Sequence, residues 1–119
     1  MKMDSMLTHF KRGVTTLCVL SLLQQREMYG YELVQMVEQE GGGLLTIQDG
    51  TLYPVLYRLS EQGYIADRSV PAGKRMTRIY YRLTEAGESY LRRICDEYAQ
   101  VSEGARRILS KLTVCHETA

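Results

Sequence analysis

The stretch of sequence that decides the fold runs from Asp49 to Gly63 and reads DGTLYPVLYRLSEQG. Its leucines, Leu52, Leu56 and Leu59, recur at intervals of four and three residues, which places them on one face of a helix. Asp49 suits the N-cap of that helix, and Gly63 suits the position just after its last turn. The opposite face carries Gly50, Pro54, Tyr57, Arg58 and Glu61. The sequence therefore predicts a helix with a buried leucine stripe and an exposed polar and aromatic face.

The residue pattern changes from a helical to a strand period after this helix. Residues 64–70 have strand composition, residues 71–75 are turn residues, and residues 77–83 alternate between two kinds of side chain. The apolar face of the second strand carries Ile79, Tyr81 and Leu83, and the other face carries Arg78, Tyr80 and Arg82. Because strand side chains alternate between faces, this pattern predicts a β-hairpin with one apolar and one basic, aromatic face. Its tip carries Lys74 and Arg75.

Two helices are predicted upstream of this region. Residues 11–24 are apolar over a wide arc, which is typical of a largely buried helix. Residues 26–28 form a short break, and a second helix follows over residues 29–40, where three consecutive glycines end it. We expect Tyr29 and Tyr31 to be core and helix-entry residues.

A long helix is predicted at the C-terminal end, with Thr84 as its N-cap and acidic residues in its first turn. Its apolar residues recur at alternating intervals of three and four, the heptad pattern of a helix that packs against another helix. This seam consists of Leu91, Ile94, Tyr98, Val101, Ala105, Ile108 and Leu112. Because one small domain cannot cover so long a seam, we expect it to pack against a second copy of the chain.

The charge of the chain is unevenly distributed. The 119 residues, about one domain in length, carry a formal net charge of only +1 at pH 7. Residues 46–82 have six basic and three acidic side chains, which gives +3. The segment before them has four basic and five acidic residues and the segment after them five and six, so each carries −1. A positive region on a neutral scaffold is typical of a protein that binds a polyanion.

Several functional classes are disfavoured by what the sequence lacks. No apolar run is long enough to span a membrane and no signal-peptide pattern is present, so we expect a cytoplasmic protein. The three cysteines do not form a disulfide framework; we expect Cys18 to be buried, and a redox role for Cys95 or Cys115 stays open. His9 and His116 have no ligand-spaced partners, and no nucleophile or phosphate-loop pattern occurs. We therefore expect no metal, no cofactor and no enzymatic activity.

The order of helix, helix, helix, hairpin and long helix is that of a winged helix-turn-helix with a C-terminal dimerisation helix. The expected fold class is therefore mostly α with a small β-hairpin. Five motifs in this order resemble the PadR family of bacterial transcriptional regulators, over about residues 11–90, and the chain is similar to short members with a single dimerisation helix. The motifs are residues 11–14 (KRGV), 29–33 (YGYEL), 49–59 (DGTLYPVLYRL), 62–65 (QGYI) and 78–87 (RIYYRLTEAG).

The resemblance implies a homodimer that binds a palindromic operator in double-stranded DNA, usually represses transcription and is often released by a small molecule. Residues 1–84 would form the DNA-binding domain, and residues 85–119 the dimerisation helix and a short tail. The family's DNA contacts carry over to Thr51, Tyr53, Pro54, Tyr57 and Arg58 in the recognition helix, and to Lys74 and Arg75 in the wing. Some relatives bind aromatic compounds at the dimer interface through a tryptophan. This chain has no tryptophan, and Tyr98 is the aromatic residue on its seam.

Some roles stay open at the level of sequence. Arg58 can read a guanine base, clamp a phosphate, or form an ion pair with Glu61. Tyr53 can pack beside the leucine stripe or bring its hydroxyl to a phosphate, and Arg78 and Arg82 can pair with acids or flank the DNA backbone. Two other functions also stay open: a winged-helix adaptor that binds a protein partner without DNA, and a ligand-binding sensor with weak DNA affinity.

Overall fold

The computed structural model describes the backbone of residues 4–112 and the side chains of residues 9–112. Within this part of the chain there are four helices and three short strands. They are α1 (Asp4–Gln25), β1 (Met28–Tyr29), α2 (Gly30–Glu40), α3 (Asp49–Glu61), β2 (Ile65–Pro71), β3 (Thr77–Leu83) and α4 (Glu85–Leu109). The predicted fold class, mostly helical with a small sheet in a winged helix-turn-helix order, is confirmed.

The core lies where α1, α2 and α3 meet. Leu20 of α1, Leu33 of α2 and Leu52 and Leu56 of α3 are almost completely removed from solvent. Leu59 is also buried, so the leucine stripe of α3 faces the core as predicted. Burying each such side chain contributes about 1.5–3 kcal/mol, which holds α3 with its opposite face towards solvent.

The strands form one antiparallel sheet in the order β1, β3, β2. The predicted hairpin is present, with β2 and β3 paired in a continuous register that begins with Ile65 opposite Leu83. The third strand was not predicted. β1 contains only Met28 and Tyr29, at the boundary between the expected break and the expected second helix. Two residues are too few to show a strand period, so only their pairing with β3 defines this strand.

The N-terminal end of α3 differs slightly from the prediction. Its N-cap is Gln48, and Asp49 is the first helical residue, where its carboxylate lies near the positive end of the helix dipole. The backbone carbonyl of Gln48 accepts hydrogen bonds from the N–H groups of Thr51 and Leu52, both at 2.9 Å. Pro54 lies inside the helix without interrupting it.

The C-terminal end of α3 is closed by a Schellman motif. The N–H groups of Gly63 and Tyr64 donate to the carbonyl oxygens of Ser60 and Leu59, each at 3.0 Å. Gly63 has a φ of 81°, the left-handed conformation that this motif needs and that glycine adopts with least strain. The predicted stop at Gly63 is confirmed, and it turns the chain directly into β2.

The start of α4 is joined closely to the chain that leaves α3. Thr84 is the N-cap, as predicted: its hydroxyl accepts a hydrogen bond from the Gly87 N–H at 3.0 Å and donates one to the Gly63 carbonyl at 2.7 Å. Gly87 is buried, and a Cβ atom there would overlap the carbonyl oxygen of Tyr64 and lie 2.9 Å from Leu83 Cδ1. The close approach of α4 therefore requires glycine at this position.

We expect Gly87→Ala to lower the free energy of unfolding by about 3 kcal/mol, because the added methyl group meets a backbone oxygen that cannot move aside. Gly104→Ala is the matched control, since Gly104 lies in the interior of the same helix with no atom near its potential Cβ. This second change should raise stability by about 0.5–1 kcal/mol through helix propensity. Urea unfolding followed by circular dichroism, at one fixed protein concentration, measures the stability of both variants. Equal unfolding midpoints for the two variants would contradict the close packing of α4 at Gly87.

Two side chains, Tyr31 and Cys18, differ from their expected environments, whereas Tyr29 is a helix-entry residue as expected. Tyr31 is exposed rather than part of the core, because it lies on the outer side of α2. Tyr29 is half-buried and is the N-cap residue of α2, and its backbone N–H donates to the Glu32 carboxylate at 3.1 Å. Cys18 is half-buried rather than buried, and this burial raises the pKa of its thiol.

Candidate functional site

The outward face of α3 carries all the residues expected in the recognition helix. Each of them is exposed, and Tyr57 is the most exposed aromatic residue of the group, at 67%. They are Thr51, Tyr53, Pro54, Tyr57 and Arg58. The major groove of B-form DNA is wide enough to admit an α-helix, and these side chains would then face the DNA.

Tyr53 packs against α2 as well as facing solvent. A Cβ atom built on Gly30 would lie 2.5 Å from the Tyr53 hydroxyl oxygen, so the ring rests directly over the first residue of α2. The side chain is nevertheless 48% exposed. Tyr53 therefore packs against the rest of the subunit, which is one of the two roles that the sequence leaves open for it, and the glycine at position 30 makes room for its ring.

A polar cleft lies between α1 and α3. Its volume is about 480 Å³. Three of its lining residues are cationic, Lys11 and Arg12 from α1 and Arg58 from α3, and none is acidic. The remaining lining residues are Thr15, Thr46, Gln48, Gly50, Thr51, Pro54 and Val55. One wall of this cleft is thus the exposed face of α3 itself.

No individual role for Lys11 or Arg12 follows from the sequence. The signal was present, because two adjacent cations interrupt the start of an otherwise apolar helix. The sequence does not show that these two cations lie near Arg58 in space, because Arg58 comes 46 positions after Arg12 in the chain. Among the described side chains, none of these three cations forms a salt bridge, and the alternative ion pair between Arg58 and Glu61 is not formed.

The wing is the hairpin formed by β2, β3 and the turn between them. The backbone N–H of Ala72 donates to the carbonyl oxygen of Met76 at 3.0 Å, which closes a short turn over Gly73, Lys74 and Arg75. Gly73 has a φ of 95° and Arg75 a φ of 61°, so the turn holds a non-glycine residue in the left-handed region. Lys74 and Arg75 are both exposed and form no salt bridge within the described part of the chain. The tip is therefore positively charged.

A series of aromatic and charged contacts joins the base of the wing to β1. The guanidinium carbon of Arg78 lies 4.5 Å from the centroid of the Tyr29 ring, which meets the Tyr80 ring edge-on at 5.3 Å. Arg68 lies over Tyr80 at 5.6 Å and forms a salt bridge with Glu27. The hydrogen bond from Arg68 lowers the pKa of Glu27. Arg78 therefore stacks on a ring instead of pairing with an acid, and the contacts connect the hairpin to the segment between α1 and α2.

The apolar seam of α4 divides into a covered and an uncovered half. Leu91 is buried in the core and Ile94 packs against it. Further along, Val101 is 71% exposed and Ile108 is 72% exposed. Tyr98, Ala105 and Leu112 are also exposed. The first half of the seam thus belongs to the subunit's own core, while the second half has no cover within the described residues.

A second recess, mostly apolar, lies between α1, α2 and α4. Its volume is about 380 Å³, and both Cys95 and Tyr98 of α4 line it, together with Cys18 of α1. Cys95 is exposed.

Cys115 and His116 lie outside the described residues. Among the residues that the structure describes, no three His, Cys, Asp or Glu side chains cluster as a metal site would require. No helix in this part of the chain is long and apolar enough to cross a membrane.

Residues 19–93 match the model of the transcriptional regulator PadR-like family. An uncharacterized protein of Lysinibacillus sphaericus is 34% identical over 96 residues, which cover 77% of this chain and 84% of that protein. The negative transcriptional regulator PadR of Bacillus subtilis is 29% identical over 73 residues, which cover 61% of this chain and 40% of that protein.

Solved structures show the same fold. The crystal structure of a PadR family transcriptional regulator from Eggerthella lenta superposes with a TM-score of 0.77 at 32% identity, over 92% of this chain and 94% of that one. The structure of Bacillus subtilis PadR in complex with operator DNA superposes with a TM-score of 0.63 at 26% identity, over 67% of this chain and 45% of that one. The chain thus spans less than half the length of the relative that was solved with DNA.

Proposed function

Because the chain belongs to the transcriptional regulator PadR-like family, we propose that it acts as a homodimeric repressor on an inverted-repeat operator in double-stranded DNA. Regulators of this family bind DNA and are not enzymes. The observation that carries the proposal is the pairing of an exposed α3 with a basic wing. Arg58 on α3 and Lys74 and Arg75 at the tip of the wing form no salt bridge among the described side chains.

The two surfaces have complementary tasks on a DNA duplex. The outward face of α3 suits the major groove, where base edges present distinct patterns of hydrogen-bond donors and acceptors. Lys74 and Arg75 suit the phosphate backbone or the adjacent minor groove, where positive charge increases affinity without reading sequence. Helix and wing together would hold one subunit on one half-site.

A dimer accounts for the inverted repeat and for the exposed half of the α4 seam. Two subunits related by a two-fold axis present their recognition helices in opposite directions, about 34 Å apart, which matches successive major grooves. The exposed Val101 and Ile108 supply apolar surface for that contact. Repression is favoured over activation because the Bacillus subtilis relative is named a negative regulator.

The proposal is tested by fluorescence anisotropy with labelled DNA taken from upstream of the protein's own gene. We expect saturable binding that weakens as salt rises, with a scrambled duplex of the same length binding at least about 1,000-fold more weakly at physiological salt. Footprinting should then protect two half-sites in inverted orientation. Equal affinity for the two duplexes would exclude sequence-specific regulation.

We also propose that a small apolar effector binds in the recess lined by Tyr98 and Cys95. The recess is mostly apolar and has the size of a small-molecule site, and Tyr98 offers an aromatic face for stacking. A ligand there would alter how α4 sits against α1 and so change the spacing of the two recognition helices. Aromatic compounds that raise the melting temperature should also release DNA, and Tyr98→Ala should weaken both effects together.

The adaptor function is less well supported by the surface chemistry. A protein-binding face on α3 would favour apolar or acidic residues, whereas the cleft beside α3 contains three cations and no carboxylate. A ligand sensor with weak DNA affinity would bind aromatic compounds normally but show no difference between the two duplexes. The anisotropy experiment, together with the melting experiment with aromatic compounds, therefore separates all three functions.

A further inference from the structure

We infer that the cleft between α1 and α3 binds a phosphate group of the DNA backbone, which makes Arg58 a phosphate-binding residue rather than a base-reading one. The inference rests on the proposed DNA binding and deepens it in two ways. It adds Lys11 and Arg12 to the interface, although they lie outside the recognition helix and the wing. It also chooses between the two DNA-binding roles that the sequence leaves open for Arg58.

The position of Arg58 around α3 is the first support. Successive residues of a helix are rotated by about 100°, so Gly50, Pro54 and Tyr57 follow the middle of the exposed face while Arg58 lies to one side of it. That side is the one next to α1, because Arg58, Thr51 and Val55 all line the cleft and Tyr57 does not. The cleft also reaches Gly50 and Pro54 in the middle of the face. An arginine at the edge of a helix in the major groove faces the sugar-phosphate backbone, whereas base edges lie opposite the middle of the face.

The chemistry of the lining is the second support. A phosphate diester carries negative charge and only hydrogen-bond acceptors, so its site needs cations and donors. The cleft supplies two guanidinium groups and one ammonium group, together with the hydroxyls of three threonines and the amide of Gln48. It contains no carboxylate that would repel the ligand. Arginine pairs with phosphate oxygens through two parallel N–H donors, which gives direction as well as charge.

The convergence of two helices is the third support. Lys11 and Arg12 come from α1 and Arg58 from α3, and all three are exposed at the mouth of one open cleft. A phosphate held from both sides would fix the depth and angle at which α3 enters the groove. Contacts of this kind position a protein on DNA without reading its sequence.

The test compares operator DNA with a scrambled duplex over a series of salt concentrations. We expect Arg58→Ala to weaken binding to both duplexes by the same factor, of about tenfold or more, and to leave their affinity ratio unchanged. The slope of log K against log salt should become shallower by up to about 0.9 per half-site, or up to about 1.8 for a dimer, since Lys11 and Arg12 remain at the same phosphate. Arg58→Lys should recover part of the loss for both duplexes, because a point charge still attracts phosphate although it lacks the two parallel donors, and it cannot pair with guanine through two donors.

A base-reading Arg58 gives the opposite pattern and overturns the inference. In that case Arg58→Ala lowers the affinity for operator DNA alone, the ratio between the two duplexes falls, and lysine does not rescue it. Circular dichroism melting checks that each variant folds, as is expected for an exposed side chain.

Lys11→Ala provides an independent measurement at the other wall of the cleft. It should make the slope of log K against log salt shallower, as Arg58→Ala does. The double variant should lose DNA affinity by a smaller factor than the product of the two single losses, because both cations meet one phosphate. Lys111→Ala is the matched control, since it removes the same charge beyond the end of α4. If the wild-type protein binds no duplex, the proposed function fails. If it binds and a wing variant weakens it while Lys11→Ala does not, only the phosphate assignment of the cleft fails.

A final measurement distinguishes DNA phosphate from a free anion. Inorganic phosphate, compared with chloride at equal ionic strength, should change the melting temperatures of the wild-type protein and of Arg58→Ala by the same amount, because phosphate stabilises folded proteins generally through its exclusion from their surface. A clear stabilisation that disappears in Arg58→Ala would assign the cleft to a small phosphorylated ligand and overturn the assignment to DNA.

Discussion

Replacing both Val101 and Ile108 with glutamate is expected to convert the proposed dimer into a monomer and to weaken DNA binding by about 100-fold or more. Both side chains are more than two-thirds exposed in the subunit, although they continue the apolar seam that begins at the buried Leu91. Carboxylates at these positions would have to lose their hydration inside a helix-to-helix contact. DNA affinity falls because a monomer binds one half-site only, whereas a dimer that holds one half-site binds the second in an intramolecular step.

The dimerisation prediction is measured by light scattering coupled to size-exclusion chromatography, followed by anisotropy with operator DNA. Ala99→Glu is the control: Ala99 is exposed on the opposite side of the same helix, so this variant should stay dimeric and bind DNA normally. Because Val101 and Ile108 are exposed in the subunit, the glutamate variant should keep its helical content. A variant that remains dimeric would show that the subunits associate through another surface.

Replacing Lys74 and Arg75 with alanine in one variant should weaken binding to operator and scrambled DNA alike. Each cation at the tip of the wing would bind a phosphate, so the salt slope should fall by about 0.9 for each phosphate that is no longer bound, or about 3.6 for the double variant as a dimer. A slope change of this size lowers the affinity at low salt by several orders of magnitude. The exposed turn makes no described side-chain contact that folding depends on, so stability should change by less than about 0.5 kcal/mol.

Met76→Ala is the control for the wing prediction. Met76 is an exposed neighbour of the same turn without charge, so its replacement should leave the salt slope unchanged. The two single variants, Lys74→Ala and Arg75→Ala, divide the effect between the two cations. If the double variant keeps the wild-type slope, the wing does not contact the backbone and its assignment is wrong.

Several elements were predictable because their signals are local in the chain. The leucine stripe of α3, the stop at Gly63 and the cap at Thr84 depend on residues within one or two turns of one another. The alternation in β3 likewise needs only neighbouring residues, and its bounds at Thr77 and Leu83 agree with the prediction. In each case the backbone hydrogen bonds and the burial pattern follow from short-range sequence.

Other features depend on residues that are distant in sequence and were not predictable. Glycine is required at position 87 only because the Tyr64 carbonyl lies against it, and Arg78 stacks on Tyr29 only because β1 joins the sheet. Positions so far apart carry no periodic signal that links them.

The candidate site shows the same division. The exposed face of α3 and the basic wing tip could be read from the sequence by itself, since helical and strand periods determine which side chains share a face. The cleft that unites Lys11 and Arg12 with Arg58 could not, because it exists only where the packing of the core brings α1 beside α3. Local periodicity thus determined which groups are exposed, and tertiary packing decided which of them act together.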